Sequence, residues 1–598
     1  MRQSNHESRN TENSASSTKR RIHFLKQLVV VALAIIAVRL FVIQIFEHDS
    51  WVAKAEEQHT LLETIVAKRG ELYMMDHGEP VAVVLNQTAY QIIIDPSITE
   101  KDKLEKALDT YAKDHITANL DEIYATEGLR YAIVAKNVPR EAAEKIASEE
   151  ISAVYFQKNN QRVYPEGELA SGLLGFVNDD GLGQYGAEGS FNKLLSGKDG
   201  LLKATADVNK IALSIGKDNT KIPAEDGKNI VLSIDRGLEK GVERIAAEAI
   251  NKTAATNASV LVMNPNTGEI LTMANLPNYN PADYSNVTDA KSYLNYTIDE
   301  PYEPASICKN FVFSAAINEG VMNADTTYFN KHYEEVDDWK IWNAEQRSSL
   351  YGTLTMRQAL YWSLNTGSIY ALKLLGGNPN QITQQGREKL FDYYHNKFRL
   401  GQATGVELVE AEGFIPDPNE GWGRDSTYAN LTFGQNLGIT MLQTATAFSA
   451  VINGGTWRTP SVVKGELVNG EVVPLDFSSP DNNNDGHVEE KILSDETSAM
   501  MRDMLIYNRN YRNDRAGYDV GGKSGTAQVV RNGAYDDTFS ELVGSYIGFV
   551  ATKGEMPQYV IMTRMWGEGQ SIGSNDAMDL FGELSNYLID YLKVKPAA

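Results

Sequence analysis

Cysteine, histidine clusters, positive charge and long apolar runs are all scarce in this chain, and each shortage removes a class of chemistry. Cys308 is the only cysteine among 598 residues, so no disulfide can form within the chain. The nine histidines show no His-Glu-x-x-His or other paired metal spacing. Asp481-Asn482-Asn483-Asn484-Asp485-Gly486 imitates the start of a calcium loop, but its twelfth position falls on Ile492 where a bidentate glutamate is needed, so it reads as a solvated turn. Neither a metal nor a cofactor is expected. The formal net charge is -23, and beyond residue 46 there are 49 Lys and Arg against 77 Asp and Glu. So acidic a surface excludes nucleic acid as a partner and keeps the chain soluble.

One apolar run is present. Gln27 to Phe46 carries a single charge, Arg39, and is long enough to span a bilayer. A cleaved signal would end in small residues, whereas Glu47-His48-Asp49 follow here, so residues 22–46 read as a retained anchor. Arg39 is expected to snorkel to the outer face or to meet a partner helix. Residues 1–21 are rich in Ser, Asn and Thr and finish with Lys19-Arg20-Arg21, which predicts a disordered leader on the cytoplasmic side of the membrane. The rest of the chain would lie outside.

What the sequence does contain is three short polar clusters in one order: Ser306-Ile307-Cys308-Lys309, Ser363-Leu364-Asn365 and Lys523-Ser524-Gly525-Thr526. Singly they are weak signals, since Ser16, Ser190, Ser214 and Ser461 also begin Ser-x-x-Lys runs, and Ser8 and Ser190 begin Ser-x-Asn runs. Only Ser306 stands at the entry to an apolar helical stretch, Phe311 to Ile317, with both other clusters downstream. Helical phase puts Lys309 about 60° around from Ser306, on one face, with Cys308 turned away toward the core. A serine hydroxyl needs a neighbouring base, and a lysine serves as one only if burial and a second cation lower its pKa by roughly three units. Lys523 is that second cation. Ser363 can relay a proton and Asn365 can both donate to and accept from a substrate amide. The Lys523 run reads as a strand opening from Gly521-Gly522. Its Gly525 suggests close approach of another backbone, such as an extended substrate, and Ser524 and Thr526 with Lys523 suggest a carboxylate seat.

These motifs, with Val262-Met263-Asn264-Pro265-Asn266-Thr267-Gly268-Glu269, Tyr302-Glu303-Pro304, Phe433-Gly434-Gln435 and Asn453-Gly454-Gly455, resemble the class B, monofunctional penicillin-binding proteins, which are peptidoglycan D,D-transpeptidases. Arg69-Gly70-Glu71-Leu72 with Asp76, Arg162-Val163-Tyr164-Pro165 and Gly186-Ala187-Glu188-Gly189 look like the motifs of that family's non-catalytic pedestal. The sequence departs from the family pattern at Ala305, where glycine is usual, at Ile307 and Cys308, at the displaced Asp76, and at Ser524, where threonine is commoner.

The resemblance implies an α+β fold of the penicillin-binding and serine β-lactamase type, an antiparallel sheet flanked by helices. That sheet would combine the hairpin of Ser259–Asn264 and Glu269–Ala274 with Lys523–Val530, Val543–Thr552 and Gln558–Met565, closed by a helix over Asp576–Leu592. The domain reading is a leader (1–21), an anchor (22–46), an elongated mixed α/β pedestal of the dimerisation type (47–228), a polar linker near Gly216–Lys228, and a transpeptidase domain (229–598). The implied chemistry is acyl transfer from a peptidoglycan stem peptide through Ser306, with Lys309, Ser363, Asn365 and Lys523 catalytic, Ser524, Gly525, Thr526 and Gln528 binding substrate, and β-lactams trapped as acyl-enzymes. A SEDS-type membrane glycan polymerase is the implied partner. A D,D-carboxypeptidase or β-lactam-hydrolysing or sensing relative would use the same serine but pass the acyl group to water, and a reading of another class is an inactive scaffold whose pedestal and membrane helix recruit the polymerase.

Overall fold

The computed structural model describes residues 7–51, 60–205, 220–475, 488–508, 515–528, 530–531, 534–535 and 541–597. The calcium-loop look-alike at 481–486 and most of the expected linker's start lie outside these residues. Contacts divide the chain into two compact units, residues 1–67 with 198–226, and residues 68–197 with 227–598.

In the first unit a helix runs from Glu7 to Phe41 and continues as a wider turn over Val42–Phe46. Residues 22–46 of it are apolar, exposed and long enough to cross a bilayer. The helix starts inside the segment read as a disordered leader. Once the apolar segment has nucleated the helix, each further residue adds one hydrogen bond at little cost, so the polar stretch extends it. Arg39 pairs with Glu47 at 3.1 Å, two turns onward, and Trp51 Nε1 donates to the same carboxylate. A small antiparallel sheet of Thr60–Ile65, Gly200–Thr205 and Thr220–Ile222 completes the unit.

The second unit holds two large sheets. The first has seven strands and takes them from both sides of position 228. Glu79–Ile94 pairs with Leu72–Asp76, Ala132–Pro139 and Val154–Val163, while Ile230–Asp235 pairs in parallel with Leu72–Asp76 and antiparallel with Val463–Val468. The helices Lys101–Tyr111 and Arg140–Ser148 bury Leu104, Leu108 and Ile146 against it and turn their charged faces outward. The three pedestal motifs meet in one buried knot. Glu188, wholly buried, takes Arg69 at 2.5 Å and Arg162 at 2.6 Å, and Arg162 Nη1 also donates to Gly70 O and Asn86 Oδ1. Gly70 is required there, because a Cβ would lie 1.9 Å from the Lys228 carbonyl oxygen. The displaced Asp76 finds Arg236 at 2.8 Å.

The second sheet has five antiparallel strands in the order Ile270–Leu276, Asn257–Met263, Tyr559–Trp566, Leu542–Thr552, Tyr518–Gln528. The Pro265-Asn266-Thr267-Gly268 turn joins the first two strands, as the sequence implied. Arg236–Lys252 and the C-terminal helix Ser574–Tyr591 cover one face through Leu238, Val242, Phe581 and Leu588. A cluster of helices covers the other, including Lys309–Asn318, Asn365–Leu375 and Met441–Ile452. The last strand, Tyr518–Gln528, is an edge, with its open side against the turn Ala305–Cys308.

Candidate active site

Ser306 sits in a 3₁₀ turn, Ala305–Cys308, that feeds the helix Lys309–Asn318. In a 3₁₀ turn residues three apart are eclipsed, which aligns Ser306 with Lys309 more closely than α-helical phase predicts. The helix is buried nearly all round, so Lys309 is carried into the interior beside Cys308. Cys308 faces the core, where burial raises its thiol pKa and makes it inert. Ala305 takes a left-handed conformation (φ 51°), which explains why glycine is usual there. Its N–H donates to Gly434 O at 3.2 Å, and a Cβ on Gly434 would lie 2.1 Å from Ala305 O. The Phe433-Gly434-Gln435 segment therefore fixes the entry to the Ser306 turn.

Lys309 Nζ donates to Ser363 O at 2.6 Å, to Asn365 Oδ1 at 2.8 Å and to Ser363 Oγ at 3.2 Å. Lys523 Nζ donates to the same Ser363 Oγ at 2.9 Å and to Ser524 O at 3.0 Å. Two buried amines thus meet on one hydroxyl. Burial, and secondarily the charge of Lys523, holds Lys309 well below the usual lysine range, and burial brings Lys523 down to about 7. Ser363 itself is left-handed (φ 55°), a conformation uncommon for serine that aims its hydroxyl between the amines. Ser306 is half-buried, and among the described residues no hydrogen bond engages its hydroxyl. A neutral Lys309 one turn away could accept its proton, while the uncommitted hydroxyl stays available for attack.

Asn365 spends its oxygen on Lys309 and donates through Nδ2 to Trp342 O at 2.8 Å, tying the half-exposed Trp339–Trp342 strand to the site. Gly525 does admit a second backbone, but it is the chain's own: a Cβ there would stand 2.3 Å from Pro304 O. Side chains alternate along a strand, so Thr526 lies on the opposite side from Lys523, and its Oγ1 accepts from Ser574 N at 3.2 Å at the start of the C-terminal helix. Ser524 shares that alternate side. Gln528 ends the strand opposite Leu542.

Reasoning from sequence missed Arg564. Its buried guanidinium is stacked between Tyr302, 4.2 Å away, and Trp566, 4.3 Å away, and pairs with Glu300 at 2.7 Å. Tyr302 OH in turn lies 3.3 Å from Ser545 Oγ, on the strand paired with Gly525. The signal available was Tyr302-Glu303-Pro304, which marked a place but no partner. Of the competing Ser-x-x-Lys serines, Ser190 accepts from Val409 N and Ser461 donates to Glu407, so both are structural.

Residues 258–584, more than half of the chain, match the family described as "Penicillin binding protein transpeptidase domain", and residues 64–232 match "Penicillin-binding Protein dimerisation domain". Among curated relatives, Stage V sporulation protein D of Bacillus subtilis is 27% identical over 97% of this chain and 87% of that protein. Peptidoglycan D,D-transpeptidase FtsI of Escherichia coli K12 is 26% identical over 98% and 94%. Penicillin Binding Protein 2X from Streptococcus thermophilus shares the fold, with a TM-score of 0.66 at 24% identity, covering 89% of this chain and 80% of that chain. The two amines gathered on Ser363 beside Ser306 are thus set in a matched domain and fold, and the chain belongs to the penicillin-binding protein transpeptidase family.

Proposed function

We propose that this chain is a serine D,D-transpeptidase that crosslinks peptidoglycan stem peptides and is acylated by β-lactams. The observation that carries the reading is the convergence of Lys309 and Lys523 on Ser363 Oγ, one turn from a half-buried Ser306. Ser306 Oγ attacks the carbonyl carbon between the two terminal D-alanines and gives its proton to Lys309. Backbone N–H groups of Ser306 and Thr526 receive the developing oxyanion. The C–N bond then breaks, and Ser363 passes a proton from the Lys309 side to the departing D-alanine amine, leaving an ester on Ser306. An amine of a second stem attacks that ester, forms the crosslinking amide and returns the hydroxyl. Asn365 holds Lys309 in place and offers its remaining N–H to the stem, while the charge of Lys523 and the open edge of the Tyr518–Gln528 strand receive the terminal carboxylate.

We place the division between pedestal and transpeptidase domain at about residue 228, with Ile230–Asp235 and Val463–Val468 reaching back into the pedestal sheet. The exposed apolar helix over residues 22–46 supports a single-pass anchor, and the basic residues before it support a cytoplasmic N-terminus. A SEDS-type glycan polymerase is the partner we assign to the anchor and pedestal. Intact-mass spectrometry after penicillin treatment tests the chemistry: one adduct is expected on the wild type and none on Ser306→Ala. An adduct on the variant, or none on the wild type, overturns the assignment. Dimeric rather than hydrolysed product with an acceptor amine distinguishes crosslinking from carboxypeptidase activity.

A further inference from the structure

A cleft of about 410 Å³, lined by none of the residues gathered at Ser306, lies in the second unit between the pedestal sheet, the 178–181 turn and the 281–285 turn. Its volume is in the usual range for small-ligand sites, roughly 300–1,000 Å³, but its lining is not the usual apolar one. Six carboxamides surround it: Gln91, Asn137, Asn159, Asn160, Gln161 and Asn178. Strand register puts Gln91 on the same sheet face as Asn159 and Gln161, and Asn159 Nδ2 donates to Asn137 Oδ1 at 3.0 Å across the sheet. That hydrogen bond leaves Asn159 Oδ1 buried with no partner, and Arg162 Nη2, on another lining residue, is likewise buried and unpaired. Buried polar atoms without partners are uncommon and point to a group that arrives from outside.

Charge narrows the ligand. Arg162 shares Glu188 with Arg69, Lys136 lies 3.8 Å from Asp179, and Asp180 adds a second carboxylate, so the described lining holds as many carboxylates as cations and does not single out an anion. Each carboxamide both donates and accepts, which matches hydroxyl and acetamido groups rather than a charged or apolar ligand. Tyr284 supplies a broad surface: its ring is backed by Phe176 at 4.3 Å and its hydroxyl is fixed on Asp179.

We propose that this cleft binds the glycan strand of peptidoglycan, an uncharged run of N-acetylated amino sugars, and so holds the strand whose stem peptides reach Ser306. The choice of strand rests on the transpeptidase reading above. The test uses full-length protein in detergent, acylated with penicillin so that the site at Ser306 is filled, and uncharged oligomers of N-acetylglucosamine, because stripping the peptides from a natural strand would leave a carboxylate on every second sugar. Binding is read by isothermal titration. The Kd is expected to be the same with and without penicillin and to rise about tenfold in a Gln91→Ala, Gln161→Ala double variant, the loss of two amide contacts. Penicillin acylation of that variant at the wild-type rate shows that it is folded. Absence of glycan binding by an acylated wild type, an unchanged Kd in the double variant, or tighter binding of an anionic oligosaccharide overturns the proposal while leaving the acyl chemistry standing. Failure of the wild type to take penicillin would instead remove the transpeptidase reading.

Discussion

Acylation by penicillin should pass through a maximum in pH, because Lys309 and Lys523 must hold opposite protonation states. Lys309 has to be neutral to take the Ser306 proton, and burial with the neighbouring charge holds it well below the usual lysine range. Lys523 has to be charged to hold a carboxylate, and burial lowers it to about 7. The second-order acylation rate constant therefore rises as Lys309 loses its proton and falls above about pH 7 as Lys523 loses its own, with apparent constants that belong to the pair. Lys523→Met removes the falling limb and lowers the plateau by about 10- to 150-fold, the worth of one charge-assisted hydrogen bond of ~1.5–3 kcal/mol. Stability moves the other way. The unfolded lysine keeps its proton to about 10.4, so between about 7 and that value the unfolded chain binds more protons and stability climbs with pH. Below about pH 7 the fold carries the full cost, about 5 kcal/mol. Offsetting this by two lost hydrogen bonds of ~1 kcal/mol each, Lys523→Met should gain about 3 kcal/mol in urea denaturation below neutrality. Stopped-flow acylation across the acid, neutral and alkaline range checks the first part. A wild-type rate that climbs steadily into the alkaline range, or a variant that keeps the falling limb, refutes the reasoning.

Other perturbations test the neighbouring contacts. Gly525→Ala places a Cβ against Pro304 O, so the strand and the Ser306 turn must separate; a loss of about 1–3 kcal/mol and roughly 10²-fold slower acylation are expected, and an unchanged acylation rate would contradict the packing. Glu188→Gln leaves two buried guanidiniums without their carboxylate and should cost about 3–5 kcal/mol in chemical denaturation, while the folded fraction still takes penicillin. Cys308 should resist thiol-directed reagents in the native protein, and Cys308→Ala should still form the penicillin adduct, since the thiol is buried and turned from the site. Labelling of native Cys308 would show that the turn opens.

Much of the site was legible because it is carried by local pattern. Ser306 and Lys309 are three residues apart at the mouth of an apolar helix, and that spacing alone puts both on one side. The 257–276 hairpin was marked by its Pro-Asn-Thr-Gly turn, and with the strands 542–552 and 559–566 and the C-terminal helix it was implied by the family resemblance, with ends within two residues or so of those expected. The face that Thr526 takes was not legible, because motif spacing lists residues without the side that a strand assigns to each. At Gly525 the absence of a Cβ said that a backbone comes close, but not that Pro304 supplies it.

What the sequence determined by itself was an inventory in order: one apolar helix, a nucleophile beside a lysine, a hydroxyl and amide pair, and a second lysine on a strand. Only the tertiary structure decided that the two amines, 214 positions apart in chain numbering, share Ser363 Oγ, and that Ile230–Asp235 and Val463–Val468 join a sheet begun by Leu72–Asp76. The physical reason is range. Helical and strand periodicities are set by neighbours a few residues away, whereas the lowered lysine pKa values and the left-handed Ser363 arise from burial among segments that meet only when the chain has folded.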